Sequence, residues 1–153
     1  MKLKTFRGKL ANGGQDTIRL SNNNGLMGYQ IKKLQLMPSI PGDTTDVEYV
    51  VKVYSVKRTT VPTGAGGDKA EVNLSDQTLL AVAYYQDNVS VSSNSSLDIV
   101  IDNMKVNQNI FVTCTNNTGS GGADCNYYME LEQVKLSKDE AAVATLKDMR
   151  GRE

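Results

Sequence analysis

"NQNIFVTCTNNTGSGGADCNYYMELEQVKL" runs from Asn107 to Leu136. Two β-rich segments, 107–115 and 126–136, flank a loop of Asn, Gly and Ser, and the chain's two cysteines, Cys114 and Cys125, sit at the ends of that loop. Val, Ile, Phe, Tyr and Thr suit a pleated, half-buried surface, while Asn and Gly suit turns. The stretch reads as a β-hairpin with a long tip. A hairpin would set the cysteines opposite one another, within the separation a disulfide spans. Zinc would need two further ligands, and the chain has neither a histidine nor a third cysteine. A redox pair normally sits closer, as C-x-x-C. Cys114 and Cys125 are therefore either a disulfide formed in an oxidising medium or two reduced thiols.

The segments around this stretch extend the β pattern. "GYQIKKLQLM" (28–37) places Tyr29 and Ile31 on one face and Leu34 and Leu36 on the other. A strand has period two, so the shift demands a bulge near Lys32–Lys33. "VEYVVKVYSVKRTTV" (47–61) is the strongest strand signal, with the face that holds Lys52 expected to be partly wet. Shorter strands are expected at 16–20, 70–74 and 97–102. "SDQTLLAVAYY" (75–85) suits either a short helix capped by Ser75 or Asp76 or a buried strand. The last segment differs. Ser137 and Glu140 form a capping box, and Val143, Leu146 and Met149 follow at helical spacing.

The 153 residues suit one domain. The expected organisation is an N-terminal arm over 1–15, a domain over 16–136 and a helix with its tail over 137–153. Turn signals at intervals of about 8–12 residues indicate a mainly β fold, an antiparallel β-sandwich or jelly roll with a C-terminal α-helix. No strand–helix alternation points to a parallel sheet.

Little in the residues points to catalysis. Without histidine the usual general base and the Ser-His and Cys-His nucleophile pairs are missing. No phosphate-cradling glycine motif is present. Glu130 with Glu132, and Asp98 with Asp102, share strand faces but read as solvated positions rather than an acid–base pair. The expectation is a protein with no catalytic residues, no cofactor and no metal. Tyr49, Tyr54, Tyr84, Tyr85, Tyr127 and Tyr128 leave a carbohydrate-stacking platform as an alternative to ordinary packing.

Charge suggests partners. Residues 1–61 hold ten Lys/Arg against four Asp/Glu, and residues 62–153 hold seven against thirteen, so an excess of six positive charges cancels an excess of six negative ones. A bipolar subunit of this kind can meet an acidic surface, including that of a neighbouring copy. The arm carries Lys2, Lys4, Arg7 and Lys9 with Leu3, Phe6 and Leu10 interleaved, which offers charge for encounter and apolar anchors for retention. Nucleic acid is not expected, because the basic residues are scattered and lack a companion aromatic stretch. No apolar run reaches the roughly 20 residues of a membrane span, and the charged start has no signal-peptide core.

"GYQIKKLQLMPSIPG", "LDIVIDN…VNQNIFVT" and "NYYMELEQVKLSKDEAAVATLKDMR" together resemble small virion structural proteins of tailed bacteriophages from aquatic sources. The resemblance covers about half the chain and contains no catalytic signature. It implies a β-sandwich subunit present in many copies in the virion, made in the host cytoplasm. The implied role is a capsid cement or decoration protein that forms a homo-oligomer and binds a larger partner such as the major capsid protein, with a tail or connector component as the alternative.

Overall fold

The computed structural model describes residues 2–20, 25–41, 46–88, 94–119 and 124–151, without the side chains of 88, 94–97 and 147–151. In chain order the elements are β1 (Lys2–Leu10), β2 (Gln15–Ile18), β3 (Met27–Pro38), β4 (Val47–Tyr54), β5 (Leu79–Asn88), β6 (Asn94–Ile101), β7 (Ile110–Asn116), β8 (Cys125–Lys135) and α1 (Lys138–Gly151). The eight described strands form two antiparallel sheets, in the orders β1-β8-β3 and β2-β7-β4-β5-β6. They make a β-sandwich, closed at its C-terminal end by one helix.

The core lies between the sheets. Ile31, Leu34, Met129 and Leu131 come from the three-stranded sheet, and Tyr49, Val51, Val53 and Val112 come from the five-stranded one. Full burial of one such large side chain is worth about 1.5–3 kcal/mol. β3 shows how the chain keeps this face continuous. Its pairing with β8 shifts between Ile31 and Lys33, and the extra residue lets Tyr29, Ile31, Leu34 and Leu36 all turn inward while Lys32 and Lys33 stay exposed. The bulge falls at the Lys-Lys step where the sequence requires it.

Several sequence expectations change. Residues 2–10 are not an arm. Each pairs with a residue of β8, from Lys2 opposite Gln133 to Leu10 opposite Cys125. Residues 107–136 are not a hairpin either, because β7 and β8 belong to different sheets and their connection crosses the sandwich. A polar loop between two β-rich segments looks the same in sequence whether it folds back along one sheet or steps to the other. The segment 75–85 resolves as strand, with β5 starting at Leu79. The side chain and backbone N–H of Thr78 both donate to Asp76 Oδ1, at 2.7 and 2.9 Å, so this acid caps a turn and not a helix.

No strand forms over 70–74. That segment is part of a long connection that covers the outer face of the five-stranded sheet. Ala70 packs there on Val50, Val82 and Tyr84. Lys52 is consequently buried, at 6% exposure, not wet. Its ammonium donates to Glu71 O at 2.9 Å and lies 5.5 Å from the centre of the Tyr54 ring. Asn117 fastens the cover, since its Oδ1 accepts the Ala70 N–H at 2.8 Å. Lys69 Nζ donates to Gly64 O at 2.7 Å and Asn117 O at 2.6 Å. Gly64 has φ +80°, and a Cβ there would lie 2.1 Å from Asn116 O, so both conformation and space demand glycine.

The capping box forms as the sequence requires. The Glu140 N–H donates to Ser137 Oγ at 3.1 Å, and the Ser137 N–H donates to Glu140 Oε1 at 3.3 Å. Asn107 ties α1 to the sandwich. Its Nδ2 donates to Ala141 O at 3.3 Å, Thr145 Oγ1 at 3.0 Å and Gly25 O at 3.1 Å.

Candidate functional site: a basic sheet face and an acidic groove

The pairing of β1 with β8 divides the basic N-terminal residues between two faces. Lys4 and Phe6 turn toward the second sheet. Phe6 packs on the core, and Lys4 Nζ reaches the Tyr29 hydroxyl at 3.5 Å. Strand alternation puts Lys2 on the same side, at the exposed end of the strand. Leu3, Thr5, Arg7 and Lys9 turn outward, across from Glu132, Glu130, Tyr128 and Asn126 of β8. On the far side of β8, Lys33 pairs with Glu130 and places its ammonium 6.0 Å from the centre of the Tyr128 ring. The partner-binding residues expected together at the N-terminus are therefore split. Arg7 and Lys9 share a face with Lys32, Lys33 and Tyr128, which a linear motif does not display.

The electrostatics of this face favour the edges. Glu132 is held by Lys32 at 3.4 Å, and Glu130 accepts the Tyr128 hydroxyl at 2.7 Å. That hydrogen bond, together with slight burial and the nearby Glu130 charge, raises the Tyr128 phenol above its ordinary value. Arg7 and Lys9 take part in no ion pair among the described residues. Leu3 and Met37 are large exposed apolar side chains on the same face, Met37 at 61% exposure, with Leu3 across from Glu132 and Met37 across from Asn126. The face thus combines cations with two separate apolar side chains.

The helix positions differ from expectation in another way. α1 rests on the sandwich through Ala141, while Val143 and Leu146 are each 52% exposed. The expected stripe is therefore not covered by this chain. Met149 lies in α1, but its side chain is outside the described residues. Val143 lines an open groove of about 660 Å³ between the start of α1, the segment after β6 and the turn before β5. Leu74 and Met104 add apolar surface, and Asp76, Asp102 and Asp139 add negative charge. Burial opposes ionisation of Asp76, but its hydrogen bonds from Thr78, with Arg58 and Lys52 nearby, hold its carboxyl below the ordinary value. Lys105 hydrogen-bonds Glu140 at 3.0 Å and, with the backbone of Ser137, lowers that carboxyl too.

Cys114 and Cys125 meet across the core. Both are buried and free. One belongs to β7 and the other to β8, so they face each other from opposite sheets and not along a hairpin. Hydrogen bonding with Cys114, then burial, then the charge of Cys114 push the Cys125 thiol up.

The tyrosines form no common platform. Tyr49 and Tyr127 are core residues, Tyr54 is buried and Tyr128 lies on the outer face of the smaller sheet. The described residues hold no group of three His, Cys, Asp or Glu side chains placed to share a cation, and no described helix is long and apolar enough to cross a membrane. Comparison with known proteins gives no match to a family model, a curated protein or a solved structure.

Proposed function

We propose that this chain is a non-enzymatic structural subunit of a phage virion, a capsid cement or decoration protein that binds the major capsid protein lattice. The observation that carries the reading is the outer face of β1 and β3, where Arg7, Lys9 and Lys33 share a face with the exposed Leu3 and Met37, one at each end of the sheet. Unpaired cations steer encounter with an acidic protein surface, and apolar side chains retain the partner once water is expelled. The sandwich supplies the bulk that holds this face rigid. The resemblance of three chain segments to virion structural proteins supports the same reading.

The test is the composition of purified particles. Quantitative mass spectrometry is expected to find the chain in fixed, repeated stoichiometry with the major capsid protein, and cryo-electron microscopy is expected to show it on the shell. Density on the tail alone would move the role to a tail component. Absence of the chain from intact particles would overturn the reading.

A further inference from the structure

The docking face needs an acidic, partly apolar counterpart, and the chain carries one itself. The groove beside α1 is rimmed by Asp76, Asp102 and Asp139 and lined by Leu74, Met104 and Val143. Leu74 is 67% exposed and also lines a second depression, of about 280 Å³, that continues over β5 and β6 to Val100. No residue of β1 or β3 lines either depression.

We infer that this groove binds the basic β1/β3 face of a second copy of the chain, joining subunits head to tail. The inference rests on the docking role proposed for that face: a copy held by its face on the capsid lattice still offers its groove to the face of the next copy. Charge complementarity selects the occupant. The face sets Arg7, Lys9, Lys32 and Lys33 against Glu130 and Glu132 of β8, and the groove sets Asp76, Asp102, Asp139 and Glu140 against Lys105, so the first is net basic and the second net acidic. Arg7, Lys9 and Asp139 have no ion-pair partner among the described residues, so each is available to another copy. The two surfaces differ, so the contact is heterologous. An open assembly of any size leaves one face and one groove unused, so growth continues as a filament unless a ring closes.

Two charge-reversed variants of the full chain test this by sedimentation velocity. Arg7→Glu/Lys9→Glu spoils the face, and Asp139→Lys/Val143→Lys spoils the groove. All four positions are exposed, and circular dichroism melts of each variant check folding. The unaltered chain is expected to associate with rising concentration and to dissociate as salt rises. Each variant alone is expected to stay monomeric. Their mixture retains one good face and one good groove, so it is expected to form heterodimers and nothing larger. A chain that is monomeric throughout, self-association that survives either variant, or a mixture that stays monomeric would overturn the inference. A monomeric chain that still binds particles, and loses that binding only in Arg7→Glu/Lys9→Glu, would remove the head-to-tail contact and leave the docking role standing.

Discussion

Cys114 and Cys125 place a latent staple between the sheets. The thiolate is the reactive form in disulfide chemistry, and the raised Cys125 thiol stays protonated near neutral pH, so oxidation of the folded protein is expected to be slow. Once formed by exchange with a small disulfide such as oxidised glutathione, the bond would close a loop of about a dozen residues, worth about 3 kcal/mol on the chain-entropy estimate. Urea unfolding of oxidised and reduced protein should differ by about that amount, and Cys114→Ala should abolish the difference. A second residue-scale test concerns Tyr127, whose hydroxyl donates to Asp16 Oδ2 at 2.9 Å and so joins β8 to β2. Burial, then the Asp16 hydrogen bond and its charge, raise this phenol well above its ordinary value. Gly8 makes the room, because a Cβ there would lie 2.9 Å from both groups. Tyr127→Phe is expected to cost about 0.5–1.5 kcal/mol of stability by the usual net worth of a hydrogen bond. Gly8→Val should cost more than Tyr127→Phe in the same urea titration, since it strikes the ring as well.

At the scale of elements, α1 depends on polar ties more than on apolar burial. Asn107→Ala would remove the amide whose two N–H groups are shared among Gly25 O, Ala141 O and Thr145 Oγ1. The expected loss is about 1–3 kcal/mol, since each of the two amide N–H groups is worth about 0.5–1.5 kcal/mol net. Hydrogen exchange should show the loss concentrated in α1. Glu140 adds a pH dependence. Its folded-state carboxyl titrates below 4.5, so its contribution is fully present above that value and is lost as pH falls through the lower folded value. Exchange in the first turn of α1 should therefore quicken on acidification below about pH 4.5, and in Glu140→Gln this change should be muted. The capping box was legible because Ser137 and Glu140 act over three residues. The bulge in β3 was legible because the apolar residues change parity across Lys32–Lys33. The exposure of Val143 and Leu146 was not, since helical spacing identifies a stripe without showing whether the chain itself covers it.

At the scale of the molecule, sequence patterning conveyed the sandwich class but not which strands share a sheet. Alternation reports that a face is buried and is silent on which neighbour buries it. β1 was hidden because Gly8 and Lys4 interrupt its inward row, and Lys52 because a distant connection, not its own sheet, shields it. The basic face became visible only when pairing with β8 brought β1 and β3 to either side of one strand. This integration also changes how the face can be tested. Removing residues 1–10 would strip β8 of a partner along its length and uncover the core at Phe6 and Leu10. That truncation is expected to impair folding, so it cannot separate docking from stability, whereas outward-facing substitutions can. The most direct measurement is a titration of particles depleted of the chain with the intact protein and with Arg7→Glu/Lys9→Glu, at low and high salt. Saturable binding by the intact protein that weakens as salt screens the charges, and loss of binding in the variant, are expected. Equal binding by both proteins at every salt concentration would overturn the docking role of this face.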